Sequence, residues 1–214
     1  SVNSIVPYKQ RKVKILNGSH TCLVPVSYLA GIDTVRETIE DPQLGKFVRE
    51  YIFDEVIPTI DIPHDQMVAY SNSVLERYGN PFVRHELMSI ALNSVTKYKT
   101  RNLPVVLQSI EAGSFPKHAL FSLAALIAFY RGKRGNEDIA LKDDEWALDF
   151  FKKEWSNFDG SKEACRRIVT DFLGLEHHWE LNLNNLKGVT DFVTDCLYEI
   201  ETKPMREALA FIGC

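Results

Sequence analysis

Apolar residues recur at helical spacing along nearly the whole chain. Between Thr34 and Phe53 their spacing is typical of the buried face of an α-helix, with apolar residues at Val35, Ile39, Leu44, Phe47, Val48 and Ile52. Asp41-Pro42 interrupts that stretch, so two short helices are expected there. Helical patterns also run through residues 65–78, 144–158, 162–173, 189–200 and 204–212. The pattern as a whole predicts an all-α fold of about ten helices.

Residues 119–130, with the sequence ALFSLAALIAFY, form the longest mostly apolar run. Its 12 residues are too few for a bilayer, which needs about 20. We therefore predict a buried core helix at this position, and no membrane association.

Proline, glycine and asparagine predict where elements begin and end. Asn80-Pro81 has the residue types of a helix start, so a helix is predicted from there to about residue 103. Pro25 is predicted to kink or end the helical stretch 8–29. Residues 132–143 are polar and predict a surface loop, and only short runs near 4–8 or 56–62 are compatible with strands.

Composition and charge exclude several classes of protein. The 214 residues are 45% hydrophobic and 25% charged, with a net charge of −4, which indicates one globular domain over residues 1–214 rather than a disordered chain. The acidic balance argues against nucleic-acid binding.

The four cysteines have irregular spacing and no C-x-x-C pair, so reduced thiols and a cytoplasmic location are expected. No two glycines are spaced G-x-G, so the standard nucleotide-binding loops are not expected here.

The first candidate site is formed by Lys12, Asn17 and His20. On an ideal α-helix they lie at about 0°, 140° and 80°, within one broad arc. Apolar neighbours and the adjacent charges of Arg11 and Lys14 would lower the pKa of Lys12, so that it could act as a general base. Gly18 would let another group approach the backbone closely. The residues alone leave open a second interpretation, in which the lysine extends to solvent and the two polar residues are satisfied in the core.

The second candidate is the predicted helix after Asn80, where basic residues could bind an anionic substrate. Lys97, Lys99 and Arg101 are the candidates for this role, and an ordinary solvated helix face is the alternative. A metal site at Glu176-His177-His178 is not expected, because adjacent histidines point about 100° apart on a helix.

The motif K-x-x-x-x-N-x-x-H, from Lys12 through Asn17 to His20, resembles the active-site signature of the polyol-specific long-chain dehydrogenases, the mannitol dehydrogenase family. The stretches RKVKILNGSHTCLVPV, NPFVRHELMSIALNSVTKYKTRNLP and FSLAALIAFYRG resemble the tagaturonate reductase (altronate oxidoreductase) branch of that family.

This resemblance implies a C-terminal helical domain of the 6-phosphogluconate dehydrogenase C-terminal-like type. In such enzymes a separate N-terminal Rossmann domain binds NAD, and no metal takes part. By the resemblance Lys12 is the general acid/base, Asn17 and His20 orient the reacting oxygen, and Lys97 contacts substrate. Ser89 stands where mannitol enzymes place a substrate-contacting arginine, so the polyol contacts of that helix are not expected to transfer intact. By their charge and position, Lys99 and Arg101 are expected to bind the carboxylate of a sugar acid. The chain alone is expected to be inactive.

Three functions are therefore compatible with this sequence. The first is the catalytic half of an NAD-dependent tagaturonate reductase. The second is a fructuronate reductase (mannonate oxidoreductase) or another polyol dehydrogenase of the same family. The third is a helical interaction module without catalysis.

Overall fold

Helix α9 (Lys117–Phe129) forms the centre of the fold, and all its residues from His118 to Phe129 are buried. It packs against α2 (Gly18–Leu29) on one side and α13 (Val189–Thr202) on another. These contacts come from a computed structural model, which describes residues 5–214. The predicted core helix is confirmed, because a helix that is apolar all round is stable only when other elements cover every face.

The described part of the chain is helical, with one two-stranded hairpin, so the all-α prediction is confirmed. No helix in this part is both long and apolar enough to cross a membrane. The elements not yet named are α1 (Ile5–Arg11), α3 (Val35–Glu40), α4 (Pro42–Glu50), α5 (His64–Tyr78), α6 (Leu87–Ile90), α7 (Ser94–Arg101), α8 (Leu103–Glu111), β1 (Lys133–Arg134), β2 (Glu137–Asp138), α10 (Glu145–Ser156), α11 (Lys162–Leu173), α12 (Glu176–Trp179) and α14 (Met205–Ala208), with π-helical turns at Lys12–Asn17 and Tyr51–Val56 and 3₁₀ turns at Ile57–Thr59, Leu183–Asn185 and Leu209–Ile212.

Several predicted helix boundaries are confirmed by their capping contacts. Asp41 separates α3 from α4, and its side chain accepts hydrogen bonds from the N–H groups of Gln43 and Leu44. Ser161 caps α11 by accepting from the N–H of Ala164 at 3.0 Å. Both caps satisfy N–H groups that the first turn of a helix leaves without partners.

The helix predicted to start at Asn80 is wrong over its first part. The Asn80 side chain accepts from the N–H of Phe82 at 2.9 Å and forms a local turn instead of a helix cap. The segment then reaches α3, where Glu86 forms a β-bridge with Thr34. Helix begins only at α6, and Asn93, with a φ of 55°, separates α6 from α7. Hydrogen bonds to a neighbouring segment thus replace the expected helical ones.

Proline and strand predictions also need correction. Of the two outcomes predicted at Pro25, a kink or an end, the end is wrong, because helix α2 continues to Leu29. Its packing against α9 offsets the one hydrogen bond that proline removes. The run at 56–62 forms the end of a π turn and a 3₁₀ turn, and the run at 4–8 is helical from Ile5 onward. The two strands lie instead in the predicted loop 132–143, around a turn that contains Gly135 at a φ of 60°.

Candidate active site

A π-helical turn brings the three motif residues into line. Helix α1 continues without a break through the turn Lys12–Asn17 into α2, and the N–H of Gly18 donates to the carbonyl of Val13, five residues earlier. Such i→i+5 bonding places Lys12 and Asn17 one turn apart. His20 then follows Asn17 by three residues of ordinary α-helix, so it lies on the same face. The alignment is therefore closer than an ideal α-helix would give.

Side chains from other elements stabilise this widened turn. The Leu16 carbonyl accepts a hydrogen bond from the Tyr78 hydroxyl at 2.6 Å. The Gly18 carbonyl accepts from the amide of the buried Asn102 at 2.9 Å. These bonds satisfy carbonyls at the place where the helical repeat changes.

Gly18 has the role that the sequence predicted for it. A Cβ atom at this position would lie 3.2 Å from the carbonyl oxygen of Arg101 and 3.4 Å from that of Val13. Both atoms belong to the backbone and cannot easily move aside. Glycine therefore lets the end of α7 pack directly against the π turn.

Lys12 is exposed in this structure, so the burial expected to lower its pKa is not found there. The buried lysine of this segment is Lys14, whose ammonium group donates to Gln108 at 2.7 Å and to the Thr59 hydroxyl at 3.3 Å. Burial lowers the pKa of Lys14. Lys14 is therefore the desolvated lysine of this segment, while Lys12 is open to contact from outside the domain.

His20 lies against two aromatic rings at the end of α5 and in the extended segment after it. Its ring stacks on Tyr78 with centroids 4.4 Å apart, and it meets His85 edge-on at 5.1 Å. These three rings, with four further residues, line a cavity of about 180 Å³, which we call the His20 cavity. Its other lining residues are Leu16, Val35, Arg77 and Val83.

The environment of His20 keeps its imidazole neutral. Burial lowers its pKa to about 3, and the charges of His85, Arg101 and Lys97 contribute in the same direction. The Nε2 atom is buried and has no hydrogen-bond partner among the described residues. A neutral imidazole has one donor and one acceptor nitrogen, so His20 is suited to orient a hydroxyl or carbonyl oxygen.

Helix α7 brings two of its three candidate cations towards His20. Lys97 and Arg101 are four residues apart and share a face, and both influence the pKa of His20. Arg101 donates to the Thr21 hydroxyl at 3.2 Å, and Lys97 donates to the Ile90 carbonyl at 2.8 Å. Burial, and then the charge of Arg101, lower the pKa of Lys97.

Lys99 is placed differently from Lys97 and Arg101. Two residues along a helix amount to about 200°, so it projects from the opposite side of α7. Its ammonium group lies 3.9 Å from the carboxylate of the exposed Glu180. The structure does not bring Lys99 to the His20 cavity.

Sequence reasoning missed Tyr78 and assigned His85 to a helix that does not form. Tyr78 lies outside the stretches that carry the family resemblance, and His85 lies within one of them, but nothing in that stretch relates it to His20. Each residue reaches His20 through the packing of a separate segment. The π turn was also missed, and its only sequence sign was Gly18 in the middle of an otherwise helical stretch.

Glu176-His177-His178 does not form a cluster of metal ligands in the described residues. His178 directs Nε2 to the Val95 carbonyl at 3.3 Å, and the rings of both histidines pack on Trp146. All four cysteines are free thiols.

Large apolar side chains are exposed near Lys12. Ile5, Val6, Tyr8 and Val13 are 58%, 54%, 46% and 36% exposed. They lie on α1 and on the π turn itself. An exposed apolar patch of this kind is typical of an interface.

Comparison with known proteins shows the family to which this chain belongs. Residues 4–201 match the sequence profile of the mannitol dehydrogenase C-terminal domain. The chain is 44% identical over 209 residues to an altronate oxidoreductase of Klebsiella pneumoniae strain 342, covering 97% of this chain and 43% of the relative. It is 42% identical over 210 residues to that of Yersinia pestis bv. Antiqua strain Nepal516, covering 98% of this chain and 44% of the relative. The chain thus spans less than half the length of these relatives.

Solved structures show the same fold. Pseudomonas fluorescens mannitol 2-dehydrogenase, in a ternary complex with NAD and D-mannitol, superimposes with a TM-score of 0.86 at 20% identity, covering 98% of this chain and 41% of that one. A substrate-free D-sorbitol dehydrogenase gives a TM-score of 0.77 at 19% identity, covering 96% and 41%. On the evidence of the profile match and the two relatives, this chain belongs to the mannitol dehydrogenase family and corresponds to its C-terminal domain.

Proposed function

We propose that this chain is the catalytic and substrate-binding half of an NAD-dependent tagaturonate reductase, which interconverts D-altronate and D-tagaturonate. The alignment of Lys12, Asn17 and His20 on one helical face, from which His20 lines the His20 cavity, carries this proposal. The two relatives named altronate oxidoreductase support the choice of substrate. A cytoplasmic location is part of the proposal and agrees with the four free thiols.

In this reaction Lys12 takes the proton of the alcohol during oxidation of altronate and returns it during reduction of tagaturonate. Asn17 and the neutral His20 hydrogen-bond the reacting oxygen and hold it within reach of Lys12. Lys97 and Arg101 provide positive charge for the rest of the substrate, including its carboxylate. The exposure of Lys12 agrees with a reaction that takes place at the edge of this domain.

Bound NAD would supply the hydride-transfer chemistry. This chain contains no G-x-G loop, and we assign the cofactor to an N-terminal Rossmann domain. That assignment agrees with the share of the relatives' length that lies outside the match. The exposed apolar residues of α1 and the π turn form the surface against which such a domain would pack.

The test is an NADH-oxidation assay on the full-length protein with tagaturonate and, separately, with fructuronate. We expect tagaturonate to be the better substrate, and we expect Lys12→Ala to lower kcat by about 10²–10⁴-fold. Lys9→Ala is the matched control, since Lys9 is an exposed lysine on the preceding helix, and it should keep near-normal turnover.

Preference for fructuronate would favour the second member of the family considered above. Full turnover by Lys12→Ala would contradict the catalytic role of that lysine. Absence of any NADH-dependent reduction in the full-length protein would favour a non-catalytic helical module. The 214-residue chain by itself is expected to show no turnover.

A further inference from the structure

A second cluster of reactive side chains lies outside the His20 cavity. It joins Glu50 at the end of α4, His118 in the first turn of α9, and Cys214. The Nε2 atom of His118 lies 2.7 Å from a carboxylate oxygen of Glu50. The Cys214 sulfur lies 3.4 Å from that same oxygen and 3.7 Å from Nε2. Three different potential ligand atoms therefore surround one point.

These distances are close to those of a tetrahedral zinc site. Bonds of about 2.0–2.3 Å to nitrogen, oxygen and sulfur give edges of about 3.4–3.6 Å between ligand atoms. The two edges that include the sulfur already have nearly this length. Only the nitrogen–oxygen edge must widen, by about 0.7 Å, and the partly exposed Glu50 at a helix end has room to move.

Glu55 holds His118 in the orientation that a metal ligand needs. Its carboxylate accepts from His118 Nδ1 at 2.5 Å, and from the backbone N–H groups of His118 and Ala119 at 2.8 and 2.9 Å. Glu55 and His118 are both buried, so this arrangement is fixed. Metal-binding histidines commonly donate their second ring N–H to such a carboxylate.

We propose that Glu50, His118 and Cys214 bind a divalent metal ion of the zinc class, with Glu55 orienting His118 and a water completing the tetrahedron. A mixed nitrogen, oxygen and thiolate set favours Zn²⁺ over Mg²⁺ or Ca²⁺. The ion links the end of α4, the start of α9 and the segment that contains Cys214. None of the three ligands lines the His20 cavity, so the site is structural and separate from the proposed reaction.

The test is titration of the metal-free full chain with Co²⁺ and then Zn²⁺, followed by absorption and by thermal unfolding. We expect one equivalent of Co²⁺ to give a thiolate-to-cobalt charge-transfer band, Zn²⁺ to displace it, and either ion to raise Tm. Cys214→Ser should abolish the band and the rise in Tm. Cys165→Ala, which removes a buried thiol elsewhere, should keep both.

Glu50→Gln offers a second check that leaves the buried His118 and Glu55 pair in place. It should weaken Co²⁺ binding at least tenfold, because it removes a charged oxygen ligand. The proposal is overturned if the full chain shows no saturable band, or if Cys214→Ser binds Co²⁺ with the same spectrum and affinity. Neither outcome depends on catalytic activity, so the result is independent of the proposed function.

Discussion

His20 stacks face to face on Tyr78, with ring centroids 4.4 Å apart and planes inclined by 23°. The Tyr78 hydroxyl donates to the Leu16 carbonyl inside the π turn at 2.6 Å. One tyrosine therefore supports both the ring of the histidine and the backbone of the turn that aligns it with Lys12. This arrangement links the protonation of His20 to the stability of the site.

The pKa of about 3 for His20 predicts a specific loss of stability in acid. In the native state the ring stays neutral down to about pH 3, whereas in the unfolded chain it takes up a proton near pH 6.5. The unfolded state thus binds more protons between these values, and the free energy of unfolding should fall as pH decreases from 6.5 towards 3. Urea unfolding at several pH values should show a shallower decline for His20→Gln than for the unchanged chain.

His64→Gln is the control for this experiment, because His64 lies exposed at the start of α5 and its loss leaves the His20 cavity intact. Its pH profile should follow that of the unchanged chain. An NMR titration in which the His20 ring protonates near pH 6.5 would contradict the prediction.

Gly18→Ala should destabilise the protein although alanine favours helix. Alanine usually gains about 1 kcal/mol over glycine inside a helix. Here its Cβ would meet the carbonyl oxygen of Arg101 at 3.2 Å, so the π turn and α7 must separate. We expect a net loss of about 1–2 kcal/mol in the free energy of unfolding, measured in urea.

Gly79→Ala is the matched control for Gly18→Ala. At Gly79 the nearest atoms to a Cβ lie at 3.6 and 3.8 Å, which is ordinary contact distance. That variant should change stability by less than about 0.5 kcal/mol. Equal effects at both glycines would show that the close approach at Gly18 has no energetic consequence.

The sequence relates candidate residues to one another where they are close along the chain. The motif from Lys12 to His20 lies on one continuous helix, and the Lys97 and Arg101 pair lies on one face of α7, so spacing alone relates the members of each set. Tyr78 and His85 could not be found in this way. They reach His20 through the β-bridge between Thr34 and Glu86 and the packing of α5, which are contacts between segments distant in sequence.

The same distinction explains the errors in helix boundaries. Asn80-Pro81 has the residue types of a helix start, and only the hydrogen bond from the Val35 N–H to the His85 carbonyl shows that this segment runs beside α3. Pro25 likewise has the residue type of a helix end, but the burial of α2 against α9 overrides it. In both cases tertiary contacts decide between two locally acceptable structures.

Glu154 should make the protein less stable as pH rises from about 4.5 to 7. Burial, and then the carboxyl group of Asp171, raise its pKa to about 7, whereas in the unfolded chain it ionises near 4.5. The native state therefore retains a proton that the unfolded state loses, and the free energy of unfolding should fall between pH 4.5 and 7. Glu154→Gln should remove that decline, with a gain of roughly 1 kcal/mol at pH 8 after solvent screening.

Chemical unfolding of this variant from pH 4 to 8 measures the effect. Glu163→Gln is the control, since Glu163 is an exposed acid at the start of α11 and should leave the pH profile unchanged. A profile for Glu154→Gln that runs parallel to that of the unchanged chain would show that Glu154 titrates alike in both states.

The two sides of α7 predict different effects on substrate binding. Arg101 faces His20 and lowers its pKa, while Lys99 projects from the opposite side towards Glu180. If a cation on α7 binds the sugar-acid carboxylate, Arg101→Ala in the full-length protein should raise KM for tagaturonate by about 10–100-fold, the range expected for a lost hydrogen bond to a charged group. Lys99→Ala should raise it much less.

Because Arg101 also donates to the Thr21 hydroxyl at 3.2 Å, Thr21→Val serves to measure the loss of that contact alone. Arg101→Lys, which keeps the charge, should restore part of the affinity. Equal increases in KM for Arg101→Ala and Lys99→Ala would contradict the division of α7 into a substrate face and a structural face. If neither variant raises KM, the substrate carboxylate is bound by residues outside α7.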